Sequence, residues 1–159
     1  MNVRAHRFAA RLRWTGAASG PALDYATYSR DYVVEIDGKP PVRGSADPHF
    51  RGDGTLHNPE DLLVAALSGC HLLSYLAQCS RAGIAVVAYD DDASGEMTLI
   101  DGKIRFREVM LRPRVAVADA ARVEEAMALH ERAHADCFIA NSVNFPVRHE
   151  AVVTSARPA

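Results

Sequence analysis

Asn58-Pro59-Glu60-Asp61-Leu62-Leu63, running on through Ala65-Ala66-Leu67-Ser68-Gly69-Cys70-His71, is the stretch whose reading decides the fold. It opens as a helix start. Asn58 offers a side-chain acceptor for the N-cap, Pro59 suits the first helical position, and Glu60 and Asp61 face the positive end of the helix dipole. Residues 62–77 contain no Asp, Glu, Lys or Arg. That run falls short of the ~20 residues that span a bilayer and carries Ser68, Gly69, His71 and Ser74, so a helix inside the protein is expected. The helix is predicted to run to about Ala82 with Gly83 as its stop, and being apolar nearly all round it should be covered on most sides.

Outward from this helix the periodicity changes. Residues 5–14 alternate: Phe8, Leu12 and Trp14 are interleaved with the basic run of Arg4, Arg7, Arg11 and Arg13, as in a strand with one wet face. Residues 28–36 alternate again and end at the turn Asp37-Gly38-Lys39-Pro40, and residues 42–56 look like loop. Beyond the helix, residues 84–90, 94–100 and 104–115 read as a meander, with Ser94-Gly95 and Asp101-Gly102 as turns and Pro113 at a strand end. Asp119 caps a second helix over 120–135, with Arg122, Glu124, Glu125, Glu131 and Arg132 wet and Val123, Met127 and Leu129 nearer the core. Cys137 lies just past its end, and residues 147–153 form a last strand. The order of elements is that of an α+β fold.

The 159 residues fit one domain, 1–159, able to bury a real core. With 48% hydrophobic and 24% charged residues the composition is that of a soluble globular protein. A net charge of −2 supplies no attraction to nucleic acid or to an anionic membrane. The first twenty residues lack an apolar h-region, so no export signal is expected and the compartment is the reducing cytosol, where the three cysteines rest as thiols. An odd count also argues against a structural disulfide framework.

The candidate chemistry centres on Cys70. In an apolar helix a cysteine reads first as a small inert hydrophobe, because burial raises the thiol pKa and only the thiolate is nucleophilic. A cation or oriented donors nearby would change that. Arg30 is the candidate cation: on a strand over 28–36 it shares a face with Tyr28, Tyr32, Val34 and Ile36. Such an arginine either reaches water at a sheet edge or is aimed at a site and held by a carboxylate, for which Glu60 is available. Glu60 and Cys70 are ten residues apart on one helix, about 15 Å along the axis and about 80° around it. They can serve one site only if Glu60 comes from a second copy, with Arg30 bridging. Cys79 lies about 180° round from Cys70 and reads as packing. Cys137 could condense with a Cys70 sulfenic acid to a disulfide. A competing stripe, His130, His134 and Cys137 at successive turns, has zinc-compatible chemistry but lacks the HExxH glutamate and a fourth ligand. His71 points about 100° from Cys70 and reads as structural.

With Asn58 to Leu63, Ala65 to His71, and Cys137 ahead of Asn141-Ser142, the chain resembles the OsmC/Ohr family of osmotically inducible and organic hydroperoxide resistance proteins. The resemblance covers nearly the whole chain. It implies the OsmC-like fold, antiparallel sheets around a long buried central helix with a second helix, as an intertwined homodimer with two interface sites. It further implies a thiol peroxidase that reduces organic hydroperoxides in oxidative-stress defence, without metal or organic prosthetic group, recycled by a dithiol such as dihydrolipoamide. By position Cys70 matches the peroxidatic cysteine, Cys137 the resolving one, Glu60 the motif glutamate and Arg30 the strand arginine, with Arg51 and Arg43 as fallbacks. Phe138-Ile139-Ala140-Asn141-Ser142 departs from the Cys-Pro-Tyr-Ser run of the hydroperoxide resistance branch, as does His71 after Cys70. The chain therefore resembles the broader OsmC-like branch. Two other functions stay open: a metal-binding protein using Cys137, His130 and His134, and a dimeric stress protein whose cysteines are not catalytic.

Overall fold

Gly16 and Gly38 set the limits of the first strands. The computed structural model describes residues 5–156; Arg4, at the head of the basic run, lies outside them. These residues group into two compact units, one up to Leu62 and one from Leu63 onward. In the first, β1 (Arg11–Trp14), β2 (Tyr32–Glu35) and β3 (Val42–Gly44) form an antiparallel sheet in the order β1-β2-β3. Both leading strands are shorter than their alternation predicts. A 3-10 turn at Gly16–Ser19 carries the chain away after Trp14, so residues 28–31 lose the partner that would extend the ladder. Arg30 therefore precedes β2 and does not stand on its apolar face. Pairing of β1 with β2 stops at Arg11 opposite Glu35, ahead of the Gly38 turn (φ 75°), and residues 5–10 belong to no strand.

The stretch 42–56, expected as loop, supplies β3 and a 3-10 turn at Pro48–Phe50. The Asp47 carboxylate caps that turn by accepting from the His49 N–H at 2.8 Å. Tyr32 pairs with Gly44, where a Cβ would come within 2.3 Å of the Tyr32 ring. Only glycine leaves room for the phenol to lie over β3.

The first helix, α1, spans Pro59–Arg81, as its end signals predict. Asn58 Oδ1 accepts from the Asp61 N–H at 2.7 Å and the Asn58 N–H donates back to the Asp61 carboxylate at 3.4 Å, a reciprocal capping box with aspartate in the acidic role. At the other end Gly83 takes φ 68°. Its N–H donates to Ser80 and that of Ile84 to Cys79, which is the Schellman closure.

In the second unit α1 buries Leu67, His71, Tyr75 and Cys79, one residue every four along a single face. The expectation of cover on most sides fails within one chain. Leu73 is 69% exposed, and Leu76, Ala65 and Ala66 are also exposed, because strands and second helix pack on one face only. By length and hydropathy α1 would pass for a membrane span, but its buried face is core of this unit. Cys79 packs there as expected, with Tyr75, Ile84 and Val115.

The strands do not form a simple meander. β5 (Ser94–Ile100) and β6 (Lys103–Leu111) make a hairpin whose turn residues Asp101 and Gly102 both have positive φ, 51° and 75°. β4 (Val86–Asp91) pairs across that hairpin with β7 (Pro113–Val117). The expected strand 104–115 breaks at Arg112, whose N–H is drawn off to the Asp91 carboxylate at 2.6 Å, and Pro113 has no N–H to continue the ladder. The expected last strand divides likewise into β8 (Val147–His149), parallel to β6, and β9 (Val152–Ser155), parallel to β7. Two of the three sheets are thus mixed, not purely antiparallel, in the orders β4-β7-β9 and β5-β6-β8.

Asp119 caps as predicted, accepting from the Ala121 N–H, but residues Ala120–Arg122 form a 3-10 turn and the second helix, α2, is Val123–Ala135. Its buried stripe is Ala126, Leu129, His130 and Ala133, and Met127 is 38% exposed, contrary to expectation. Two alanines in the stripe let the helix approach the core closely, which turns Met127 outward. The fold is α+β, with two helices and mixed sheets. Leu67 is wholly buried against Val109, Leu111 and Val147. Leu67→Ala is expected to cost roughly 2–5 kcal/mol, read as a lower urea midpoint at unchanged slope.

Candidate functional site

Cys70 projects from the middle of α1 and is half-buried, whereas Cys137, just past α2, is 1% exposed; both are free thiols. The second unit brings the two sulfurs together. Cys137 lies near enough to Cys70 for the two thiols to act on each other's ionisation, and the Ile139 N–H donates to Cys70 Sγ at 3.5 Å. Main-chain N–H groups of Ala140 and Ile139 favour the Cys137 thiolate. Burial first, and then the Cys70 hydrogen bond, push the Cys137 thiol up to about 11 against the opposing pull of those N–H groups.

The turn that supplies these donors is fixed by its own side chains. Asn141 Nδ2 donates to the Ala135 carbonyl at 2.8 Å, Ser142 Oγ donates to the Phe138 carbonyl at 2.7 Å, and the Asn141 N–H closes on the Cys137 carbonyl at 3.0 Å. Phe138, between the donors and Cys137, is 82% exposed.

Four histidines form a group in the same unit. His71 Nε2 and His130 Nδ1 are 3.1 Å apart, Tyr75 stacks on His130 at 3.9 Å between ring centroids, and His134 and His149 complete the group. Burial chiefly, with the neighbouring histidines, lowers His71 to about 4 and His130 to about 3, and His149 shifts the same way. His71 is wholly buried. The expected stripe of His130, His134 and Cys137 is not a ligand set: His130 is engaged by His71 and Tyr75, and Cys137 by Cys70. Among the described residues no three His, Cys, Asp or Glu side chains are grouped to hold a metal. Sequence reasoning passed over His149. Its only signal is an imidazole two residues after the apolar Val147, on the same face of a short strand.

The first unit holds a cavity of about 360 Å³ lined by Trp14, Tyr28, Arg30, Tyr32, Phe50 and Glu60, among others. Arg30 stacks on Tyr28, 3.9 Å from the ring centroid, and on Tyr25 at 4.8 Å, and donates to the carbonyls of both tyrosines. Within one chain Arg30 is held by carbonyls and aromatic faces and not by its own Glu60, since it lies in the turn before β2. Glu60 acts on Tyr32 instead, whose phenol is raised by burial and then by the Glu60 charge. Arg51 sits 5.9 Å from the Tyr25 ring, and exposed Arg43 acts on Asp53. Of the three arginines, Arg30 is the one that lines the cavity with Glu60.

The profile of OsmC-like proteins matches residues 52–151. A solved OsmC-like protein of unknown function from Vibrio cholerae is 32% identical with a TM-score of 0.85, over 93% of this chain and 100% of that one. An organic hydroperoxide resistance protein from Elizabethkingia anophelis is 21% identical with a TM-score of 0.69, over 97% and 99% of the two chains. Another, from Legionella pneumophila, is 18% identical with a TM-score of 0.67, over 95% and 98%. At those identities the likeness is one of fold. The uncharacterized protein YmaD of Bacillus subtilis is 26% identical over 95 residues, 58% of this chain and 62%, less than two thirds, of its own length.

Proposed function

Because the chain belongs to the OsmC-like family, we propose that it is a thiol peroxidase that reduces organic hydroperoxides to alcohols in oxidative-stress defence in the cytosol. The observation that carries this reading is the meeting of two free sulfurs, one half-exposed on a helix and one buried behind it. The Cys70 thiolate attacks the terminal peroxide oxygen, the O–O bond breaks, and the alcohol leaves with a proton. Cys137 then attacks the Cys70 sulfenic acid, forming the disulfide and releasing water before further oxidation. A dithiol of the dihydrolipoamide class restores both thiols by exchange.

Arg30 and Glu60 act in this reading as the charged part of the site. A homodimer lets one copy's Arg30 and Glu60 complete the thiol pair of the other, and the exposed apolar side of α1 (Ala65, Ala66, Leu73, Leu76) supports that assembly. Light scattering is expected to give a dimer; a fully active monomer would contradict it. Arg30→Gln is expected to slow oxidation of Cys70 by about 10²-fold, the scale of a lost anion-stabilising donor, with the helix content unchanged.

The reading is tested by peroxide consumption with a dithiol reductant. Cumene hydroperoxide is expected to be turned over faster than hydrogen peroxide, with dihydrolipoamide supporting more turnover than a monothiol. No consumption of either peroxide would sink the reading.

A further inference from the structure

The turn after α2 does more than carry Cys137. Its Ile139 N–H has Cys70 Sγ as an acceptor at 3.5 Å, and the next residue, Ala140, favours the Cys137 thiolate through its backbone. A main-chain N–H held toward a sulfur is a donor to the anion that sulfur can become, and such a donor is preorganised because it belongs to the backbone. Two exposed side chains outside the sulfur pair tie this turn down. Asn141 ties the turn back to the end of α2 through the Ala135 carbonyl, and Ser142 ties it to the Phe138 carbonyl.

Resting on the peroxidase reading, we propose that the turn Cys137–Ser142 is an anion hole for the peroxidatic sulfur. In it the Ile139 N–H holds the Cys70 thiolate and the sulfenate formed from it, and Asn141 and Ser142 are positioning residues that keep that donor aimed. A thiolate needs oriented donors or a cation to form at neutral pH, and a hydrogen bond to a charged acceptor is about twice as strong as a neutral one. The hole also serves the second step. After the S–O bond forms on Cys70, the same turn keeps the Cys137 sulfur beside it, so that S–S closure and loss of hydroxide need little rearrangement.

Ile139 has φ −71° and ψ −41°, so proline fits its φ while deleting the N–H. The test follows alkylation of Cys70 by iodoacetamide, read by mass spectrometry against pH. In Ile139→Pro the rate at pH 7 is expected to fall roughly tenfold or more, the scale of a charge-assisted hydrogen bond, and to recover at alkaline pH. Ser142→Ala should show a smaller fall of the same kind, and Ser142→Thr, which keeps the hydroxyl, should restore the wild-type profile. If Ile139→Pro does not fold, the Ser142 pair decides the matter, because that side chain is exposed and its loss leaves the core intact. Wild-type profiles in folded Ile139→Pro, or in Ser142→Ala when the proline variant fails to fold, would overturn the hole. Dimedone trapping of a Cys70 sulfenic acid after cumene hydroperoxide is measured in parallel. A displaced profile without trapping would keep the hole and sink the peroxidase reading; trapping with an undisplaced profile would do the reverse.

Discussion

Cys70→Ser is expected to abolish hydroperoxide turnover, by about 10³-fold or more, while leaving the fold intact. A serine hydroxyl does not ionise near neutrality, and loss of the nucleophile removes the step itself, not one of its aids. The substitution is nearly isosteric at a half-buried position, so the unfolding midpoint should change little. Cys79→Ala is the matched control. Cys79 sits in the core with Tyr75 and Ile84, and burial raises its thiol pKa, so its removal should lower stability and spare the rate. Turnover is read by residual hydroperoxide after a fixed time with dithiol present. A Cys70→Ser variant as fast as the wild type would end the enzyme reading.

Acid is expected to unfold this protein well before its carboxylates are protonated. His71 and His130 are wholly buried, and their folded pKa values, about 4 and about 3, lie below the ordinary 6.5 that the unfolded chain regains. Below pH 6.5 the unfolded chain binds protons that the folded chain refuses, so stability is full above that pH and falls as pH drops towards 4. Each histidine contributes a slope of about 1.4 kcal/mol per pH unit in that window. His134 and His149 push His71 in the same direction, and Asp91 opposes them. His149 is itself lowered by burial, against the pull of Glu131. Urea midpoints at pH 7.5 and pH 5 measure this, and His130→Phe, which keeps an aromatic ring against Tyr75, should flatten the dependence. Equal midpoints at the two pH values would contradict it.

What the chain made legible was local. The capping pair Asn58 and Asp61, the Gly83 stop and the Asp101-Gly102 turn each act over a few residues, and each stands where the sequence puts it. Alternation was a poorer guide, because it reports which side chains share a face and not whether a partner strand is present. Residues 28–36 alternate throughout, yet β2 begins only at Tyr32, where β1 is still alongside. That displacement moved Arg30 from a strand face into a turn. The parallel pairing of β8 with β6 and of β9 with β7, and the antiparallel pairing of β4 with β7 across a hairpin, have no local signature, and with them went the placement of His149. The cysteine pair was chemically legible through family resemblance. The donors around it were not, because backbone N–H groups leave no trace in side-chain identity.

The most direct measurement is a thiol count with disulfide mapping, before and after one equivalent of cumene hydroperoxide and without reductant. Two of the three thiols are expected to disappear, with a Cys70–Cys137 linked peptide recovered and Cys79 still free. Three thiols persisting, or a disulfide that includes Cys79, would contradict the account.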